Sequence, residues 1–217
     1  MPGKVQNSAK AAYERGMNHY YNGDDFNAVK EFTEAIRLDP NYAQPYIYRG
    51  HSLNIVGKLE QAIEDLNTAV KLDRKNTEAY SCRGHIYLNM RQYDQAIGDF
   101  TEAIRLDPEA AKAQTVQSYF QRGYAWEMNK NIDKALNDYT RAIRLNPDYA
   151  PAYLFRAAIY VFKLSQYEKA IEDYTEAIRL EPNNADAYEN RAYAYRKISD
   201  YEKERQDKEK AQSLKRG

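Results

Sequence analysis

The sequence of 217 residues has little of what defines several common protein classes. Its single cysteine, Cys82, excludes an internal disulfide framework and any metal site built from several cysteines. Seven prolines and nine glycines are too few for the many turns of an all-β protein. The composition therefore favours a helical protein.

The sequence also lacks an excess of charge of either sign and has no long apolar run. The 32 basic and 32 acidic residues leave a formal net charge of zero, whereas nucleic-acid-binding proteins normally carry a basic excess or a basic stripe. No segment approaches the roughly 18 consecutive apolar residues of a membrane span, and residues 1–8 lack the apolar core of a secretory signal. We therefore expect a soluble, cytoplasmic protein that binds neither nucleic acid nor membrane.

What the sequence does contain is an internal repeat. An arginine followed by a glycine or alanine recurs at intervals of 34 to 39 residues. An alanine and then an aromatic residue or leucine follow in the first five repeats, as at Ala28 and Phe32. The small residues of the six pairs are Gly16, Gly50, Gly84, Gly123, Ala157 and Ala192. A period near 34 over the whole chain is typical of a helical solenoid.

Each repeat has the pattern of two amphipathic helices. Apolar residues recur at three- and four-residue steps, as in Tyr93, Ile97, Phe100 and Ile104, which is the period of a half-buried helix. Short polar turns such as 22–24 separate the two stretches, and most repeats end at a proline, which cannot continue a helix. The small residues allow two helices to approach closely. Each repeat therefore predicts an antiparallel helix pair.

These residues resemble the tetratricopeptide repeat, in the Tyr-x-x-Arg-Gly form typical of bacterial members. The resemblance implies an all-α fold, a right-handed superhelical solenoid of antiparallel helix pairs. We expect residues 1–8 and 213–217 to be disordered and the solenoid to span 9–212. Its units are predicted at 9–42, 43–76, 77–110, 116–149, 150–184 and, in degenerate form, 185–212.

Two departures from the repeat carry structural expectations. Residues 111–115 are an insertion of good helix formers, which we expect to extend the first helix of the fourth unit at its N-terminus. The mixed-charge run from Tyr201 to Lys210 has little apolar surface, and a solenoid needs a polar last element because no further repeat covers it. The run predicts a C-terminal cap.

The sequence contains no catalytic constellation. Its histidines have no serine or cysteine partner at a motif spacing, and the glycines are too scattered for a phosphate-binding loop. His51, His85 and Cys82 could together hold zinc or copper, but equivalent places on stacked hairpins are about 10 Å apart, which is long for ligands of one ion. We expect no enzymatic activity, no cofactor and no metal.

The repeated arginine is open to two interpretations. A ladder of arginines could contact phosphates. However, an acidic residue follows each of the first five arginines by about sixteen residues, as Asp65 follows Arg49 and Asp99 follows Arg83. This regularity favours a structural ion pair between helices.

The resemblance also implies a binding surface, because the first helices of tetratricopeptide repeats line a concave groove. The residues that would bind a carboxylate in chaperone-binding relatives correspond here to Tyr13, Met17, Tyr48, Glu78 and Cys82, and none matches. The places that face the ligand are rich in aromatic and aliphatic residues instead. The predicted groove comprises Tyr13, Met17, Tyr20, Ile47, Tyr48, His51, His85, Leu88, Phe120, Tyr124, Met128, Leu154, Phe155, Val161, Phe162 and Tyr193.

These features predict a non-enzymatic scaffold or adaptor that binds a protein or peptide segment with apolar anchors. The expected partner is not the carboxylate tail of a chaperone. Two alternatives stay open: a self-assembling, homo-oligomeric repeat protein and, with less support, an RNA-binding helical-repeat protein.

Overall fold

The computed structural model describes residues 2–108 and 113–216, with side chains from residue 6 onward. These residues form twelve α-helices and no strand. The chain divides into two compact halves between Pro108 and Glu109. Each half consists of three antiparallel helix pairs, or hairpins.

Each hairpin packs a first helix against the second helix that follows it. In the N-terminal half the helices are α1 (Pro2–Tyr21), α2 (Asp25–Leu38), α3 (Ala43–Ile55), α4 (Leu59–Leu72), α5 (Thr77–Asn89) and α6 (Tyr93–Leu106). In the C-terminal half they are α7 (Ala113–Met128), α8 (Ile132–Leu145), α9 (Ala150–Phe162), α10 (Tyr167–Leu180), α11 (Ala185–Lys197) and α12 (Tyr201–Arg216). None of the described helices is long and apolar enough to cross a membrane.

The turn inside each hairpin contains one residue with positive φ. Gly23 and Gly57 hold this place in the first two hairpins, with φ of 72° and 80°, where the absence of a Cβ makes the conformation easy. The other four hairpins place a side chain there, at Arg91, Lys130, Ser165 and Ser199. This backbone conformation ends the first helix and reverses the chain toward the second.

Small residues bring the two helices of a hairpin together. A Cβ built on Gly16 would lie 2.5 Å from Cε1 of Phe32, and one on Gly123 would lie 2.8 Å from Cε1 of Tyr139. Both rings are fully buried. The glycine therefore provides the space that the aromatic ring of the second helix occupies.

The ion pairs expected from the arginine spacing are confirmed. In the second hairpin, Arg49 Nε donates to Asp65 Oδ2 at 2.7 Å and Arg49 Nη2 donates to Asp65 Oδ1 at 2.6 Å. The same two-oxygen pairing joins Arg83 to Asp99, Arg122 to Asp138 and Arg156 to Asp173. Arg15 pairs with Glu31 through one carboxylate oxygen, Oε2. Each pair holds the first helix of a hairpin against its second helix.

A sixth pair lies in the last hairpin, where sequence analysis did not place one. Arg191 donates from Nε and Nη2 to the two carboxylate oxygens of Asp207, each at 2.8 Å. The arginine also reaches back to the preceding hairpin, where its Nη1 donates to Thr175 Oγ1 at 3.0 Å. The corresponding bonds to a preceding hairpin join Arg49 to Thr33, Arg83 to Asn67 and Arg156 to Thr140.

The structure differs from the predicted ends of the chain. Residues 1–8 were expected to be disordered, but α1 begins at Pro2. Since Ala9 and Ala12 are buried and no helix breaker lies between them and Gly3, the helix extends toward its N-terminus cooperatively. At the other end, where we expected a disordered tail from 213, α12 continues to Arg216.

The two departures within the chain also have a structural outcome. Helix α7 has 16 residues, against 13 in α5, and its three additional residues, 113–115, belong to the insertion. Residues 111 and 112 of the insertion lie outside the described part of the chain. In the last hairpin Lys208 stands where the other hairpins place an aromatic residue or leucine, and its Nζ lies 2.6 Å from Glu204 Oε1.

Candidate peptide-binding surface

Most of the predicted groove residues have accessible surface on the first helices of the hairpins. Of the sixteen, the exposed ones are Met128, Phe162 and Tyr193. The partly exposed ones are Tyr13, Met17, Tyr20, Tyr48, His51, His85, Leu88, Tyr124, Leu154 and Phe155. This set divides between the two halves into two aromatic surfaces, described separately below.

Three of the predicted groove residues require correction. Ile47, Val161 and Phe120 are only 1%, 3% and 8% exposed. Ile47 and Val161 belong to the buried core clusters of their halves, and the ring of Phe120 lies 5.6 Å from that of Tyr139. Their places in the repeat lie at the edge of the helix face that packs against the second helix. These three residues are part of the core on which the exposed rings pack, and they offer little accessible area to a ligand.

In the N-terminal half, the surface is a cluster of rings on α1 and α3 that we call the N-terminal wall. It consists of Tyr13, Tyr20, Tyr48 and His51. Tyr13 and Tyr20 lie 6.0 and 5.5 Å from Tyr48, and Tyr20 lies 5.3 Å from His51. The last two contacts are edge-on, which is a favoured geometry for aromatic pairs. The rings therefore hold one another in place before any ligand arrives.

Acidic residues lie beside this wall. Burial raises the pKa of Tyr13 to about 12, and the negative charge of Glu78 adds to the effect. Burial also raises the pKa of Tyr20, with further contributions from Glu78 and Asp25. The pKa of Tyr48 is also raised by burial, and the negative charge of Glu78 adds to the effect. The phenols of the wall are therefore neutral hydrogen-bonding groups at physiological pH.

The two histidines and the cysteine of this half do not form a metal site. Burial lowers the pKa of His51 and of His85, so both imidazoles are neutral, and His85 Nδ1 lies 2.8 Å from the Ser81 carbonyl oxygen. Burial also raises the pKa of the Cys82 thiol to about 12. Within residues 2–108 and 113–216, no group of three or more metal-ligating side chains comes together.

In the C-terminal half, the surface follows α7, α9 and α11, and we call it the C-terminal wall. Its central ring, Phe155, lies 5.9 Å from Tyr124 in an edge-on contact. Nearer the hairpin turns, Phe162 and Tyr193 lie 5.7 Å apart and are 56% and 40% exposed. Lys197 Nζ lies 5.2 Å from the centre of the Tyr193 ring. This pair of rings is a large apolar area open to solvent.

The predicted groove left out several exposed apolar residues. Tyr21, Phe26 and Ile55 are all exposed and lie near the turns of the first two hairpins. Phe26 had a sequence signal, since the pair Asp25-Phe26 displaces the aromatic residue of its repeat by one place. Tyr21 and Ile55 also had a signal, because each occupies the last ligand-facing place of its first helix in the repeat, but the predicted groove did not include them.

Comparison with known families gives a consistent result. Models of the tetratricopeptide repeat match residues 9–42, 50–90, 77–109, 116–149 and 161–198. No curated protein matches the sequence.

Solved structures with similar folds include three repeat proteins. The MamA protein is 25% identical, with a TM-score of 0.71 over 80% of this chain and 92% of that one. The PilF protein of Pseudomonas aeruginosa is 17% identical, with a TM-score of 0.84 over 99% of this chain and 95% of that one. YrrB, described as having an unusual peptide-binding site, is 24% identical, with a TM-score of 0.69 over 84% of this chain and 91% of that one. The likeness to PilF and YrrB concerns the fold alone.

Proposed function

Because the chain belongs to the tetratricopeptide repeat family, a fold of protein-interaction scaffolds, we propose that it is a non-enzymatic adaptor whose aromatic walls bind a partner segment. The observation that carries the proposal is that each half has accessible rings on its first helices, among them the exposed pair Phe162 and Tyr193. Exposed apolar patches usually mark binding sites.

The chemistry of the walls indicates the kind of segment they accept. Aromatic side chains provide large contact areas at a low cost in side-chain entropy, and Tyr and Trp are enriched among the residues that dominate binding energy. The rings of each wall are already fixed by contacts with one another, so little ordering is needed on binding. The proposed ligand is a protein segment whose apolar side chains pack between these rings.

The arginine ladder counts against the RNA-binding alternative. Phosphate contacts require free guanidinium groups, but the repeated arginines are bonded to carboxylates within their own hairpins. With no net positive charge, the chain as a whole also has no long-range attraction for the phosphates of RNA. Self-assembly stays an alternative, because an exposed apolar area can equally pack against a second copy.

The proposal is tested by removing the exposed rings of the C-terminal wall. We expect the double variant Phe162→Ser, Tyr193→Ser to lose a partner that the wild type retains from source-cell lysate. The matched control is Leu72→Ser, Tyr201→Ser, which removes two exposed apolar side chains from second helices instead. Since all four side chains are exposed, circular dichroism should show the same helicity for both variants.

Three outcomes distinguish the alternatives. A partner lost from the wall variant and kept by the control supports the adaptor. A partner kept by both variants contradicts the proposed surface. If the wild type retains no partner and its mass by light scattering rises with concentration, self-assembly replaces the adaptor.

A further inference from the structure

Two carboxylates lie against the N-terminal wall, and no described basic side chain neutralises either of them. Glu78 lies in the first turn of α5, its negative charge acts on the Tyr48 phenol, and it forms no ion pair in the described part of the chain. Asp25 is only 8% exposed, and its Oδ1 is buried without a hydrogen-bond partner. Asp25 begins α2, which packs against both helices of the wall, and Glu78 lies in α5, which contacts α3. The negative charges of both residues act on Tyr20 and His51.

Asp25 occupies a place that is apolar in every other hairpin. It is the first residue of α2. An acidic residue at this place gains from the helix dipole, but the dipole does not explain why one oxygen is buried without a partner. The corresponding first residues of the other second helices are Leu59, Tyr93, Ile132, Tyr167 and Tyr201.

The presence of aspartate instead of an apolar residue at the start of α2 also leaves an apolar side chain exposed to solvent. Phe26, the displaced aromatic residue, is 72% exposed. A buried carboxylate beside an exposed phenylalanine breaks two local rules of stable packing at once. Such violations are typical of functional sites.

Among the side chains that the structure describes, no cation pairs with these carboxylates. Lys10 lies 3.8 Å from Glu14 at an exposed part of α1. Arg49 and Arg83 are bonded to Asp65 and Asp99. His51, in the wall, and His85 are both neutral because burial lowers their pKa. The N-terminal wall is therefore aromatic and negatively charged, the reverse of a carboxylate-binding groove.

We propose that the N-terminal wall binds a lysine or arginine side chain of the partner segment. The cation would lie against the rings of Tyr20 and Tyr48 and contact Glu78, while the buried Asp25 carboxylate would attract it through its field. Cations bind the faces of aromatic rings, more strongly when partly removed from water, and complementary charge selects between partners. This inference rests on the proposed adaptor function and specifies the chemistry of its ligand.

The test uses two small probes that differ only in charge. Nα-acetyl-lysine methylamide carries the ammonium group, and Nα-acetyl-norleucine methylamide has a similar aliphatic stem without it. We expect the lysine probe to shift NMR signals of Tyr20, Tyr48 and His51 and to bind about three- to tenfold more tightly than the norleucine probe. Raising the salt concentration from about 20 to about 300 mM should remove most of this difference, because screening weakens the attraction.

Variants assign the preference to the two carboxylates. Glu78→Gln removes the charge with little change in side-chain size and should abolish most of the preference for lysine, and Asp25→Asn should reduce it. Glu14→Gln, which removes an exposed acid of α1, is the matched control and should have no effect. The wild-type salt series decides the matter if a variant fails to fold.

The inference is overturned if both probes bind equally, or if the lysine preference survives in Glu78→Gln and Asp25→Asn. Equal binding of both probes at the rings would leave the aromatic surface of the adaptor proposal in place and remove only its preference for a cation. Loss of the partner from the Phe162→Ser, Tyr193→Ser variant is measured in the other half of the chain. The two proposals therefore fail separately.

Discussion

The repeated arginine contacts several neighbours at once. Arg83 shares its guanidinium with Asp99 and with Asn67 Oδ1, at 2.6 Å from Nη1, and its Cζ lies 5.7 Å from the centre of the Tyr80 ring. The side chains of Arg83 and Asp99 are only 16% and 8% exposed. Since solvent can replace little of this network, the loss of one partner leaves a charge in a poorly hydrated place.

We predict that Asp99→Ala lowers the free energy of unfolding by about 3 kcal/mol, because it leaves a largely buried guanidinium without its carboxylate. The comparison is Glu31→Ala, which breaks the pair with Arg15. That arginine is 55% exposed, so the cost should be below about 1 kcal/mol. Urea denaturation followed by circular dichroism measures both. Equal costs for the two variants would contradict a role of burial in the strength of these pairs.

Sequence reasoning was successful at this scale where the spacing was regular. Five arginine–acid pairs followed from a separation of sixteen or seventeen residues. Asp207 was overlooked because its helix carries Glu204 and Lys208 in place of the usual alanine and aromatic residue. The separation of Arg191 and Asp207, 16 residues, is nevertheless the same as in all the other pairs but Arg156–Asp173. Charge spacing alone could have found the sixth pair.

At the scale of the hairpin, helix–helix distance is set by the absence of a side chain. The ring of Phe32 occupies the space where Gly16 has no Cβ. Since the ring is fully buried, it has no free volume into which to move. The glycine is therefore part of the packing of the hairpin.

The prediction is that Gly16→Ala destabilises the protein by about 1 to 3 kcal/mol through overpacking. The chain offers a matched control in Gly98, an exposed residue within α6 whose added Cβ would meet nothing within 4 Å. Gly98→Ala should stabilise the protein by about 0.5 to 1 kcal/mol, because alanine is the better helix former. Thermal melts of the two variants should shift in opposite directions, and a common direction would refute the packing argument.

The hairpins themselves were predictable, whereas their exposed surfaces were only partly so. A repeat period fixes which residues face the partner helix, so the small and aromatic core positions followed from the sequence. Ile47, Phe120 and Val161 were assigned to the groove from their repeat places, yet each is buried. The depth of a residue at the edge of a helix face depends on the neighbouring hairpin, which one repeat does not specify.

Across the molecule, tyrosine is the residue through which stability should depend on pH. The chain has 21 tyrosines, and burial raises the pKa of Tyr13 to about 12 as well as that of Tyr42, Tyr149 and Tyr174. In the unfolded chain these phenols ionise near pH 10. Above that pH the unfolded state loses protons that the folded state keeps, so alkali favours unfolding.

We therefore expect the free energy of unfolding to fall steadily from about pH 10 to about pH 12, by up to about 1.4 kcal/mol per pH unit for each such tyrosine. Denaturant titrations at several pH values measure the slope. Tyr13→Phe keeps the ring and removes the ionising group, so its slope should be shallower than that of the wild type. An unchanged slope in this variant would mean that other groups, such as lysines, cause the alkaline loss.

The hydrogen bonds from the repeated arginines to the preceding hairpins favour folding in the order from the N-terminus to the C-terminus. Within each half, the guanidinium of a later hairpin donates a hydrogen bond to the second helix of the preceding hairpin. Arg49 donates to Thr33 and Arg191 donates to Thr175. A chain leaving the ribosome folds from its N-terminus, so each of these acceptors is already in place when its arginine emerges. Until then, the earlier hairpin exposes only a neutral hydroxyl or amide group, to which water can hydrogen-bond, and no unpaired charge. The order of translation thus coincides with the order in which these bonds can close.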